Sequence, residues 1–301
     1  MNHAAWFALT LIITGGVCDA QSGPAMRTRD ITRLSQFEIA KYLKRNDSIF
    51  VPVGSVEGNG ASPSDRDYAS ALAVAMKMAE AADALFAPNL SYFYAGSTIT
   101  SEATVNVSLS ESREYLKQLA KSFLRQGFRT QVWVVSGHGP APLFVGSMVR
   151  EFFDETHVPI LAIDAADIAR KQNRDREKMA YGTYSLLNRL DDMPLAKDVP
   201  NIPMKPGGVA ADNPGLATLS KMGYSGSLTL GFWWADPNGH GYSNTNLPTT
   251  PEERAAWGKQ GEAEIDALVQ GMHVPAMLTA LKGHAKFTED EIVSKYKAML
   301  P

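Results

Sequence analysis

Two glycine-flanked stretches of this chain hold side chains of the types that bind divalent metals. The first is Val53-Gly54-Ser55-Val56-Glu57-Gly58-Asn59-Gly60, followed by Asp65 and Asp67; the second is Ser136-Gly137-His138-Gly139-Pro140. Brought to one point, Glu57, Asp67 and His138 supply two carboxylates and an imidazole, a donor set suited to Zn²⁺ or Mn²⁺ that leaves room for a reactive water. Such an ion polarises a carbonyl and activates water for hydrolysis. Each residue also has an ordinary use: Asp67 as a helix N-cap, Glu57 as a solvated loop carboxylate. Asp65, two residues earlier, is an alternative ligand to Asp67. His240, in Asn238-Gly239-His240-Gly241, is a candidate for moving a proton in the same reaction. A solvated exposed turn is the plainer reading of His240.

The surrounding elements must position these groups. Residues 48–55 (SIFVPVGS) read as a buried strand that leads to Glu57, and 130–135 (TQVWVV) as a central strand that leads to His138. Residues 67–82 place Tyr68, Leu72, Met76 and Ala79 on one helical face, so Asp67 stands at the start of a helix. Further helices are expected over 34–43, 110–126 (stopped by Gly127) and 141–154, and further strands over 84–88, 158–163 and 227–234 (SLTLGFWW). Thr250-Pro251-Glu252-Glu253 offers an N-cap, a proline at the first helical position and a capping-box glutamate. That helix runs through Ile265, Leu268, Val269 and Met272, and Thr288 with Glu291 marks one more. Alternating strands and helices predict an α/β fold, a three-layer sandwich with a mainly parallel central sheet and helices on both faces. Ligands of such sheets bind beyond the carboxyl ends of the strands, where both glycine-rich stretches fall. Residues 171–206 are polar and proline-containing, and read as an insertion able to form a lid or a subunit contact.

Composition narrows the function further. The 301 residues are 45% hydrophobic and 20% charged, enough for a large core, and the net charge of -3 comes without a basic stripe, which argues against nucleic acid. Residues 4–17 are uncharged and mostly apolar, shorter than the roughly 20 residues that span a bilayer. With Cys18-Asp19-Ala20 after them, they read as a signal peptide over 1–20 that precedes a single domain over 21–301. The mature chain is then expected to be exported, periplasmic or secreted, with no stable membrane span. Cys18 is the sole cysteine, so that chain has no disulfide, thiolate metal site or cysteine nucleophile. A serine hydrolase is also disfavoured: 54–58 lacks the spacing of a nucleophile elbow. Tyr92-Phe93-Tyr94 and Trp233-Trp234 are candidates for lining a pocket for a ring-shaped substrate, with core or subunit interface the commoner use of such residues.

The run from Pro52 to Gly60, then Asp67-Tyr68-Ala69, resembles the creatininase (creatinine amidohydrolase) family pattern PvGS.EqHG.H followed by an aspartate that opens a helix. Val134-Val135-Ser136-Gly137-His138-Gly139 is similar to that family's strand ending in NGHG, and Asp236-Pro237 follows the last expected strand in similar fashion. The resemblance implies that Glu57, Asp67 and His138 bind one metal ion, with Asp67 reached through a loop one residue shorter. It also exposes departures. The second metal's histidine matches Asn59, a further glutamate matches Pro140, and a later His and Glu-Thr-Ser motif falls near 206–212 (PGGVAAD), where Asp212 alone is near enough to substitute and becomes, with His240, a catalytic candidate for moving a proton. The implied function is a metal-dependent hydrolase of a C–N bond in a small amide-type substrate, cyclic amides included, with one Zn or Mn ion per subunit and a homo-oligomeric assembly such as the family's common hexamer. Alternatives are an exported binding protein without catalysis and a mononuclear lactonase or ring-opening hydrolase.

Overall fold

The computed structural model describes residues 26–202, 213–224, 230–234, 244 and 246–301. In chain order its elements are α1 (Gln36–Leu43), β1 (Ser48–Pro52), α2 (Arg66–Ala81), β2 (Leu85–Phe86), α3 (Leu109–Gln126), β3 (Thr130–Val135), α4 (Ser147–Thr156), β4 (Leu161–Asp164), α5 (Ala165–Lys171), α6 (Arg176–Leu186), α7 (Pro214–Lys221), α8 (Pro251–Gly271) and α9 (Val274–Phe287). Among the described residues the four strands make one sheet in the order β2-β1-β3-β4, every pair parallel. Phe50 lies opposite Val132, which in turn lies opposite Leu161.

Strands covered on both faces need apolar side chains at every position rather than at alternate ones, and β1 and β3 are buried throughout. Ile49, Val51, Trp133 and Val135 pack toward Tyr42 of α1, Leu116 of α3 and Phe152 of α4. Their neighbours Phe50, Val132 and Val134 pack toward Val74 and Met78 of α2, Ala169 of α5, Met179 of α6 and Ile265 and Leu268 of α8. The result is three layers, with each large apolar side chain contributing ~1.5–3 kcal/mol by leaving water.

Local signals end and start the helices as the sequence suggests. Gly127 closes α3 at φ 106, and the Ser35 hydroxyl and Glu38 carboxylate form a reciprocal capping box on α1. At α8 the Thr250 hydroxyl accepts from the Glu253 amide at 3.1 Å, but the Glu253 carboxylate accepts from Thr249 instead, at 2.7 Å from its amide. Residues 141–154, expected as one helix, begin with a wide turn at Pro142–Gly146 before α4. The strand expected over 227–234 lies partly outside the described residues, and 230–234 holds no strand.

Residues 171–206, expected as an insertion, contain α6, which is built into the core. Tyr184 is fully buried, and Gly182 of α6 meets Gly261 of α8 backbone to backbone. A Cβ on Gly261 would stand 1.8 Å from the Lys178 carbonyl oxygen, so these helices touch more closely than any side chain permits. No described helix is long and apolar enough to cross a membrane.

Candidate metal site at the sheet's switch point

From β1 the chain passes through α2 to β2 on one side of the sheet, then returns to β3 on the other. The loops leaving β1 and β3 therefore diverge, which opens a crevice between their carboxyl ends. Val53 prolongs the ladder, its amide donating to the Val134 carbonyl at 2.8 Å. At Gly54 the start of α2 crosses so closely that a Cβ would lie 2.3 Å from the Tyr68 nitrogen. Only glycine permits that approach, and it brings Asp67 beside the end of β1. Between them the loop is closed by the Glu57 amide donating to the Ser64 carbonyl at 2.9 Å.

Glu57, Asp67 and His138 consequently meet, with one ligand atom from each lying within 4.8 Å of the others. His138 Nδ1 is 3.2 Å from Glu57 Oε1 and 3.1 Å from Asp67 Oδ2. The Ser55 hydroxyl lies 2.9 Å from the same nitrogen and 3.4 Å from Asp67 Oδ2. On the far side of the ring, Nε2 is 2.9 Å from the Tyr94 carbonyl oxygen, which accepts its proton. The Thr98 hydroxyl is hydrogen-bonded to Glu57 Oε2 and lies 2.9 Å from the Ala95 carbonyl. Glu57 and His138 are 6% and 1% exposed, so little water reaches them.

With Nε2–H committed to Tyr94, neutral His138 presents a lone pair at Nδ1 toward two carboxylates, three acceptors that only a proton or a cation can reconcile. Without a cation, protons do so. Burial pushes the His138 imidazolium down, but Asp67 and Glu57 outweigh it and raise the pKa to about 9. Burial likewise opposes ionisation of Glu57, yet hydrogen bonds from His138 and Asp67 bring it to about 2. Asp67, its charge opposed by burial and by the neighbouring Glu57 carboxylate, is shifted upward. A divalent ion suits this cluster on chemical grounds: oxygen and nitrogen donors, two negative charges, and a backbone carbonyl that fixes the histidine tautomer, as outer partners of metal-bound histidines do.

The other expected residues are placed as follows. Asp65 points away from the site: Tyr184 Oη donates to its Oδ1 at 2.8 Å and Arg189 Nη1 to its Oδ2 at 2.6 Å, tying the α2 start to the end of α6. Asn59 turns to the loop backbone, donating to the Glu57 and Ser64 carbonyls at 3.4 and 3.3 Å. Asp212 and His240 lie outside the described residues. Of the aromatic clusters, Phe93 is core, stacked on Phe144 at 5.7 Å, whereas Tyr92 and Trp233 are exposed. Trp234 is held by its backbone to Ser97 and Thr100. Tyr94, expected only as an aromatic lining a pocket, touches the cluster through its carbonyl instead, and Thr98 reaches it from a short turn at Gly96–Thr100, a contact that the sequence does not signal. Beside Asp67 opens a cavity of about 200 Å³, lined also by Asn59, Arg66, Ser136, Arg176 and Thr183.

The family model for creatininase, creatinine amidohydrolase, matches residues 32–186, just over half of the chain. No curated protein sequence matches. Among solved structures, a crystal structure of creatinine amidohydrolase (creatininase) aligns with TM-score 0.61 at 17% identity, over 85% of this chain and 99% of that one. A creatininase structure with Mn aligns at 0.60 and 17%, again over 85% and 99%. A mutant creatininase of Zn-Zn type gives 0.60 and 16%, over 85% and 99%. Identities this low carry the fold alone.

Proposed function

The chain belongs to the creatininase family, and from that premise we propose that it is a metal-dependent hydrolase of a C–N bond in a small amide-type substrate, cyclic amides included. The observation that carries this reading is the meeting of three acceptors, His138 Nδ1, Glu57 Oε1 and Asp67 Oδ2, inside a water-poor crevice. When bound there, one Zn²⁺ or Mn²⁺ supplies Lewis acidity toward the substrate carbonyl and an acidified water. The chain's own part is to hold and orient. Tyr94 keeps the Nε2 proton away from the cluster, Thr98 steers the Glu57 carboxylate, and Ser55 bridges His138 and Asp67. Ser136, on the cavity wall, offers a hydroxyl to a substrate seated beside Asp67. A single ion is favoured because Asn59 faces its own loop, and Pro140 has no side-chain ligand atom.

Metal analysis of the purified protein tests the reading, followed by turnover assays on lactams, lactones and cyclic ureas. One equivalent of metal, lost in Glu57→Ala and in His138→Ala, together with opening of an amide ring, supports it. No metal after reconstitution refutes it, and metal or ligand binding without turnover favours the non-catalytic binding protein. The apolar run over 4–17 with Cys18-Asp19-Ala20 after it supports an exported mature chain, whose N-terminal residue on secretion should then be Gln21.

A further inference from the structure

The cavity beside Asp67 carries more positive charge than hydrolysis of a neutral amide needs. Arg66 and Arg176 both line it, and neither forms an ion pair among the described residues. Arg66 opens α2, and its Nη1 makes one hydrogen bond, to Ser62 Oγ at 3.2 Å. Arg176 opens α6, which packs beside α2 on the same face of the sheet, and its Nη2 would lie 3.9 Å from a Cβ placed on Gly137, the residue before His138. The nearby carboxylates are otherwise engaged. Asp164 accepts from the Gly137 and Ala166 amides, Asp175 from the amides of Glu177 and Lys178, and Asp67 faces His138. Two guanidiniums with no carboxylate partner among the described residues, in a recess that also offers Ser136 and Thr183, are arranged for an anion, since a guanidinium grips carboxylate or phosphate oxygens through paired N–H donors. At about 200 Å³ the recess is smaller than the roughly 300–1,000 Å³ clefts that take drug-sized ligands.

We propose that Arg66 and Arg176 hold an anionic substituent of the substrate, a carboxylate or a phosphate, while its amide is presented to Glu57, Asp67 and His138. Presentation of the amide rests on the hydrolase reading, and the grip on the anion on the cavity alone. The substrate class is then a small anionic amide, such as an N-acylated or cyclised amino acid or a phosphorylated amide, and a neutral ring of the same size is a poor substrate.

Calorimetric titration of the full, metal-loaded protein with succinate, inorganic phosphate and the neutral succinamide tests it, alongside Arg66→Gln, Arg176→Gln and the matching lysine variants. Metal content and thermal melts of each variant report that the fold is kept. The expected result is binding of at least one anion, weakened about tenfold or more in each glutamine variant, partly restored by lysine, and no comparable binding of succinamide. Tighter succinate binding identifies the carboxylate, tighter phosphate binding the phosphate. Anion binding unchanged in both glutamine variants, succinamide binding as tight as succinate, or no anion binding to the wild type overturns the proposal. Metal uptake with any of these leaves the hydrolase reading standing alone. Arginine-dependent anion binding by a chain that takes up no metal leaves the anion site standing and removes the hydrolase.

Discussion

Thr98→Val gives a sharp test of how the candidate metal site is built. The Thr98 hydroxyl contacts Glu57 Oε2, the oxygen turned away from His138, and the side chain is 9% exposed. Valine keeps the shape and removes the donor. A hydrogen bond to a buried carboxylate is worth about 1.5–3 kcal/mol, and each 1.4 kcal/mol is about tenfold. If the bond orients Glu57 toward the ion, affinity for Zn²⁺ or Mn²⁺ should therefore fall about 10- to 150-fold, in line with the roughly 10- to 100-fold typical of outer partners of metal ligands. Competition against a chromophoric chelator measures it, with Thr98→Ser expected to stay near wild type. Wild-type affinity in Thr98→Val, or the same loss in Thr98→Ser, would show that Glu57 is not held as a ligand in this way.

Other outcomes follow from the same geometry. Asp67→Asn should abolish metal uptake, whereas Asp65→Asn should keep it and cost about 1 kcal/mol of stability, since it weakens the contacts to Tyr184 and Arg189; metal analysis and urea melts separate the two. Gly261→Ala forces a Cβ to 1.8 Å from the Lys178 carbonyl, so it should destabilise by about 3 kcal/mol or more and lower Tm by roughly 6–12 °C; an unchanged calorimetric Tm would mean that α6 and α8 do not cross so closely. Glu38 is held at about 2 by hydrogen bonds from the Ser35 amide and Arg27. Its pKa is depressed on folding, so its support of α1 is present above its ordinary value of 4.5 and is lost as pH falls through about 2; the carboxyl carbon shift of Glu38 in NMR titrations checks the midpoint.

What the sequence reveals of this architecture depends on how each residue does its work. β3 is plain because six consecutive residues are buried and a glycine-capped helix precedes them. The site's three side chains are visible because glycines isolate Glu57 and His138 after strand-like runs. Choosing between Asp65 and Asp67 requires the helix: two residues apart is about 200° of rotation, which sends one carboxylate to His138 and the other to Tyr184. α6 is hidden because its buried residues run without interruption from Met179 to Tyr184, leaving no amphipathic stripe to recognise. Tyr94 cannot be found by residue type, since any residue has a carbonyl, and Thr98 sits in a stretch with no periodicity.

The contact at Gly54 has a consequence for how this site can change. Because α2 is seated against the end of β1 through main-chain atoms, the first turn of that helix, and Asp67 with it, is fixed to the sheet independently of the span before it. Glu57 has no such footing: its amide is held by the Ser64 carbonyl and its own carbonyl by Asn59, so a change within 59–64 reaches one carboxylate of the trio and leaves the other in place.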